Sequence, residues 1–340
     1  MMGNFDDRYE IRLGNSEDIP AVMQFIDEYW KKGHILSKNR SFFEYEFLEA
    51  DGSVNFILAI DRNTGAIEAV HGFLKSSSGT DTDIWGTVWK AAPGSPGFLG
   101  MELVFRLNKM GFYRYRLDIG GNPKTTIPIM RTLLRCETGK MKQYYRLARK
   151  DDFCIAQIVH IPKTSVILRE QLKARRIYSA EELNGYDWEM EKHNVPCKNK
   201  AYVDKRFFHH PIYQYETYAI EHAGGDKIDA IIILREQPYK NRKALRIVDY
   251  IGEEYCFGGL SAFFEERTAS GEYEYIDFYC LGMEEAYIRE AGFTLREDND
   301  TNIIPNYFYP FEQKNVDIWV TSPVKGARFC KADGDQDRPN

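Results

Sequence analysis

Apolar positions along the first 150 residues change period several times, and each change marks an element. Ile19, Val22, Met23, Ile26 and Trp30 recur at intervals of three and four, which places them on one helix face. Asn15 or Ser16 is positioned to cap that helix, and acidic residues occupy its first turn, where the dipole favours them. A strand over Tyr9–Leu13 precedes it, and "RSFFEYEFL" predicts a second helix. "VNFILAI" and "AIEAVHGFLKS" then read as two strands of a hairpin around "DRNTG", with "DIWGTVWKAA" as the third strand of a meander. The pattern stops at "PGSPG" and resumes at helical spacing as far as Met110. "YRYRLDIG" predicts a strand, "PKTTIPIMRTLL" a short helix and "KMKQYYRLARK" a further strand.

Residues 151–199 break this rhythm. "IPKTS" and "NVPCKNK" read as loops, with a helix near "ILREQLKARR" between them. From residue 200 the order returns. "NKAYVDKRFFHHPIY" predicts a helix ending at Pro211. "QYETYAIEH", "KIDAIIILREQ" and "ALRIVDYIG" predict three strands, the first two joined through "AGGD". "GGLSAFFEERTA" follows as helix, "YEYIDFYCL" as strand, "MEEAYIREAGF" as helix and "VDIWVTSP" as a late strand. A shift of 159 positions aligns Phe98 with Phe257, Gly100 with Gly259, Phe105 with Phe264 and Asp118 with Asp277. Matched residues within a matched order of elements point to a duplicated domain. The expected organisation is therefore residues 1–150, a connecting segment over 151–199, and residues 200–340.

Composition narrows the function. A chain of 340 residues with 43% hydrophobic and 28% charged residues has ample core for two domains. A net charge of −6 argues against nucleic acid as the partner, since phosphate binding needs clustered Lys and Arg. Six cysteines without a CxxC pair argue against a disulfide framework and a zinc site, so no metal is expected and a reducing cytoplasm is. The N-terminus lacks the apolar core of a signal peptide, and no apolar run reaches the ~18 residues of a membrane span. Aromatic residues make up 14%; they suit both core filling and the lining of a sugar or peptide pocket.

"KAAPGSPGFLGMEL" joins a strand to a helix through a loop poor in side chains. Free N–H groups and the dipole at a helix N-terminus bind anions, and glycine lets the anion approach the backbone. Gly94, Ser95, Gly97, Phe98 and Gly100 thus form a candidate pyrophosphate cradle, with a plain tight connection as the alternative. It is not a Walker loop, since no Gly-Lys-Ser/Thr follows, and not a dinucleotide fingerprint, since a meander precedes it.

Together with that loop, "IRLGNSEDIPAVMQFI" and "GGNPKTTIPIMRTLLR" give the chain a resemblance to the GNAT superfamily of acyl-CoA N-acyltransferases. The resemblance covers residues 8–150 and, more weakly, 200–325. It implies an α+β fold of two tandem GNAT-like domains, each a mostly antiparallel mixed sheet flanked by helices. "NIIPNYFYPF" and "DGDQDRPN" resemble tandem proteins found among bacterial surface-polysaccharide genes. The implied cofactor is acetyl-CoA or another acyl-CoA, held by the loop and Asn122, with an oxyanion-polarising backbone N–H near Trp89, Lys90 or Ala91. Gly94 stands where the family prefers Arg or Gln, Leu99 where it prefers Gly or Ala, and Met130 where many members carry a tyrosine acid. In the second half, Glu253 and Glu254 would repel a pyrophosphate, which leaves that half as the acceptor platform.

Acyl transfer to an amine needs a base, and His71 or Asp249 is the candidate; a merely hydrogen-bonded core histidine and a paired carboxylate are the alternatives. Asp277, Tyr279, Asn302, Asn306 and Tyr307 are candidate acceptor residues, because amides and aromatic rings suit the edges and faces of a sugar. The expected acceptor is an amino group on a nucleotide-linked sugar, and a homodimer is compatible with the sequence. A Fem-type tRNA-dependent ligase and a GNAT-like binding protein without catalysis are the rival readings.

Overall fold

The computed structural model describes residues 5–79, 81–163, 172–222 and 227–339. The chain builds two mixed, mostly antiparallel sheets flanked by helices. The first half supplies β1 (Tyr9–Asn15), α1 (Ile19–Phe25), α2 (Ile35–Lys38), α3 (Arg40–Phe47), β2 (Ser53–Asp61), β3 (Ile67–Lys75) and β4 (Ile84–Ala91). It continues with α4 (Leu99–Met110), β5 (Arg116–Ile119), α5 (Thr126–Leu133), β6 (Glu137–Lys140) and β7 (Lys142–Leu147). The connecting segment contributes β8 (Lys173–Ile177) and α6 (Trp188–Glu191). Then come α7 (Lys200–Val203), β9 (Glu216–Glu221), β10 (Ile228–Tyr239), β11 (Arg242–Gly252), α8 (Tyr255–Gly258), α9 (Ser261–Ala269) and β12 (Tyr273–Leu281). The chain closes with α10 (Glu285–Glu290), β13 (Thr294–Leu295), β14 (Tyr307–Phe308), β15 (Phe311–Glu312), β16 (Trp319–Ser322) and β17 (Phe329–Cys330).

Both faces of the first sheet are covered, which is why "VNFILAI" is apolar at nearly every position. Phe56, Leu58 and Val70 pack against Phe42, Phe43 and Phe47 of α3. The alternate residues Ile57, Ala59 and Ala69 pack against Leu99, Leu103 and Leu107 of α4 on the other face. The second sheet repeats the scheme, with Ile232, Leu234 and Leu245 over Phe257 and Phe264.

Strand order reveals an exchange. The first sheet runs β1-β2-β3-β4-β5-β16-β6, and the second β13-β7-β12-β11-β10-β9-β8, with β17 also on β12. Each sheet has one parallel pair, β4 with β5 and β11 with β12. Beyond that pair, each sheet accepts one strand from the other half of the chain. β16 inserts between β5 and β6, and β7 lies beside β12. The sequence division at residue 150 therefore does not coincide with the division between sheets. The 159-residue shift places β5 on β12, in equivalent positions of the two sheets.

Two local expectations change. The first helix has Asp18 at its cap, without a side-chain capping bond, because Arg12 holds that carboxylate at 2.6 Å. Of "ILREQLKARR", residues 167–171 lie outside the described residues, while Lys173–Ile177 is strand instead of helix. Its arginines face acidic neighbours across the sheet, with Arg175 2.8 Å from Glu221 and Arg176 3.0 Å from Glu216. The "AGGD" turn also lies outside the described residues. Among the described residues, no helix is long and apolar enough to cross a membrane.

Candidate functional site

The site begins where two parallel strands part. β4 pairs with β5 only at Ile84–Arg116, Trp85–Leu117 and Gly86–Asp118. β5 ends at Ile119, whereas β4 runs on to Ala91. Opposite this fork the register with β3 slips, since His71 faces Trp89 while Phe73 faces Gly86. The extra residue is a bulge of the kind that twists a strand and re-aims its groups.

β4 leads into the glycine loop, and each glycine there has a different physical reason. Gly94 sits at φ +87°, a left-handed conformation. A Cβ on Gly97 would meet nothing within 4 Å, so that face of the loop is open. A Cβ on Gly100 would come within 3.1 Å of Trp89 Nε1, and that indole N–H donates to the Gly100 carbonyl at 2.9 Å. Phe98, at φ +70° and 65% exposed, opens α4 with no side-chain cap. In the first turn of α4 the Leu99 amide is taken by Pro96 O at 3.2 Å, and no side-chain cap covers the amides that follow. Ser95 is turned away, its hydroxyl donating to Glu68 O at 3.2 Å and its amide to Ala92 O at 3.2 Å. Its expected part in an anion cradle is accordingly reduced to holding the loop on β3. Lys90 and Ala91 are paired with Val70 and Ala69 at the end of β4.

Next to the fork lies a cavity of about 500 Å³, lined by residues of both sheets and of the C-terminal tail. Of the expected site residues, His71, Trp89, Asn122, Asn306 and Tyr307 line it. His71 is fully buried and neither ring nitrogen has a hydrogen-bond partner. Burial, reinforced by the nearby Arg116 charge, holds its pKa well below the usual imidazole value. Its ring sits edge-on to Trp89 at 5.8 Å. Arg116 donates to Asp118 at 2.6 Å, and Thr321 of the inserted β16 donates to the other Asp118 oxygen at 2.9 Å. Gly86 makes this cluster possible, because a Cβ there would run into the Asp118 carboxylate and reach His71 at 3.1 Å. Asn122 accepts from the Lys124 amide at 2.8 Å and shapes the turn into α5.

Four of the residues expected at the site from the second half do not line the cavity. Asp249 is fully buried, does not line the cavity, and grips Lys198 Nζ at 2.6 and 2.8 Å. Asp277 lies behind the wall, paired in a two-point contact with Arg246 at 2.7 and 2.9 Å. Tyr279 donates its hydroxyl to Val316 O at 3.1 Å. The Asn302 side chain accepts from the amides of Val159 and His160 and donates to His160 O, which pins a loop away from the cavity. Asn306 and Tyr307 remain in the wall.

The wall also contains residues that sequence reasoning missed, namely Arg235, Arg338, Lys331 and the Asp335–Asp337 stretch. Arg235 is paired with Asp337 at 2.6 Å. The missed signal was the charged run "KADGDQDRPN", which looks like a solvated tail. Here Lys331, Asp333, Asp337 and Arg338 are all buried.

No family profile matches the chain, and no curated protein matches it in sequence. Among solved structures, a GCN5-related N-acetyltransferase from Anabaena variabilis ATCC 29413 superposes with a TM-score of 0.56 at 11% identity, covering 92% of this chain and 72% of that one. A conserved protein of unknown function from Enterococcus faecalis V583 gives the same TM-score at 9% identity, with 92% and 72% covered. Identities this low speak for the fold alone, and they do so over nearly the whole chain: both sheets together adopt a fold similar to that of a GCN5-related N-acetyltransferase.

Proposed function

We propose that this chain is an acyl-CoA-dependent N-acyltransferase whose acceptor is an amino group on a nucleotide-linked sugar, acting in the cytoplasm in surface-polysaccharide synthesis. One observation carries the reading: the β4–β5 fork opens beside an uncapped helix N-terminus, and Trp89 joins the two. The α4 amides and the open Gly97 face suit a pyrophosphate. Acyl-CoA supplies the thioester carbonyl that the amine attacks. Beyond Gly86 no strand pairs with β4 on its β5 side among the described residues, so that edge can polarise the developing oxyanion. His71, held neutral by burial, is placed to take the amine's proton as the C–N bond forms and the C–S bond breaks, and to pass it to the departing coenzyme thiolate. Asn306 and Tyr307 offer an amide and an aromatic ring to the acceptor. Six free cysteines fit a reducing compartment.

Gly97→Val tests the cradle. Because the added Cβ meets nothing, the variant is expected to fold normally and to bind acetyl-CoA at least ~10-fold more weakly, about 1.4 kcal/mol, by calorimetry. Unchanged affinity would remove the loop from the reading. Met130 is buried where many relatives carry a tyrosine acid, which favours a binding-only protein as the second reading. Thiol release from acetyl-CoA with amino-sugar nucleotides separates the two.

A further inference from the structure

We propose that the cavity between the sheets anchors an oxyanion of its ligand, a phosphate or a carboxylate, on Lys331, with the amide of Asn306 in the same wall as a second donor. Two independent features lead there.

The first is a cation without a counter-ion. Lys331 follows β17 in the tail, lines the cavity and is only 3% exposed. The four buried arginines of the same wall each have a carboxylate: Arg116 with Asp118 at 2.6 Å, Arg235 with Asp337 at 2.6 Å, Arg246 with Asp277 at 2.7 Å and Arg338 with Glu46 at 2.7 Å. Lys331 has no carboxylate within 4 Å among the described residues; its Nζ lies 5.7 Å from the centre of the Tyr279 ring. A buried charge of this kind costs stability unless something pairs with it.

The second is a surplus of donors. The buried wall atoms that lack partners include Asn306 Nδ2, Arg116 Nε and Arg338 Nη2, all of them donors. A ligand that satisfies this wall brings acceptors. An oxyanion brings acceptors and the missing negative charge together.

Binding should also move a proton. Burial lowers the Lys331 pKa to about 7; Arg246 on β11 and Arg235 on β10 push the same way, and Asp337 in the tail and Asp277 on β12 push against it. Near neutral pH the free protein therefore holds this amine in both its charged and neutral forms, and an anion beside it favours the charged one. This inference deepens the acceptor reading and rests on it only for identifying the ligand as the acyl acceptor.

The experiment is calorimetric titration of the full chain with UDP at pH 7.5 in HEPES and in Tris, with malonate in a parallel arm. Binding of either probe is expected to show heats that differ between buffers, reporting net proton uptake. Lys331→Met should weaken that probe at least 10-fold and abolish the buffer difference, while the melting temperature stays equal or rises. Asn306→Asp, which puts a carboxylate beside the site, should weaken it as much. UDP binding names a phosphate, and malonate binding alone names a carboxylate. The proposal is overturned if neither probe binds the wild-type chain, or if Lys331→Met binds as tightly with the same buffer-dependent heat. Lys331-dependent binding of a probe without any binding of acetyl-CoA would keep the anchor and discard the acyltransferase reading.

Discussion

Lys198→Ala is expected to cost about 3–5 kcal/mol of folding stability, the range for removing one partner of a buried ion pair. Lys198 comes from the connecting segment and is buried between two carboxylates, Asp249 of β11 at 2.6 Å and Asp333 of the tail at 2.7 Å. Burial opposes its charge, yet the two carboxylates outweigh that and raise its pKa well above the usual lysine value. Without the ammonium, two neighbouring carboxylates stay in the interior with no cation between them. Asp333 gives the loss a pH signature. Burial lifts its pKa to about 6, against the pull of Lys198 and with the push of Asp249, whereas an unfolded aspartate titrates near about 3.9. The folded state thus holds this proton more tightly. The stability it contributes is complete below about pH 4 and is lost as pH rises through about 6. Removing Lys198 raises that pKa further, so the deficit in urea titrations should be larger at pH 7 than at pH 5. Lys198→Met combined with Asp249→Asn and Asp333→Asn should recover most of the stability. An equal deficit at both pH values would show that charge burial is not the cause.

His71→Gln is expected to lower kcat by about 10²-fold, the usual scale for loss of a general base. An unperturbed imidazole base would give the profile an acidic limb at about pH 6–7. The fold moves it. Burial, with Arg116 behind it, keeps His71 neutral well below that range. The kcat/KM profile should therefore run flat through pH 6–7 unless the acceptor amine itself titrates there. A folded His71→Gln protein with near wild-type kcat would make the residue a packing group of the β3–β4 bulge.

Legibility followed distance along the chain. The meander, the glycine loop and α4 were readable because their signals are local: periodic apolar residues, and proline and glycine at the turn. Asp277, an acidic residue in the apolar stretch "YEYIDFYCL", needs a partner inside the fold, and it finds one in Arg246. β8 was misread because lysine and arginine favour helix, and only β9 across the sheet supplies the glutamates that make them strand residues. The cavity was illegible for the same reason on a larger scale. Its walls come from β3, β4 and β5, from β10 and β11, and from the tail, and nothing in "KADGDQDRPN" alone says that it is buried.

The exchanged strands bear on how the chain folds. β16 seals the first sheet by reaching Asp118 from Thr321, 203 positions along the chain, and β7 joins β12 across 134 positions in the Gln143–Asp277 contact. Such closures carry a high loop entropy before any pairing rewards them. Neither sheet can be completed from its own half, so the two halves are locked into one cooperative unit. The chain should melt in a single transition, refold slowly for its size, and protect the amides of β5 and β12 to the same extent against hydrogen exchange.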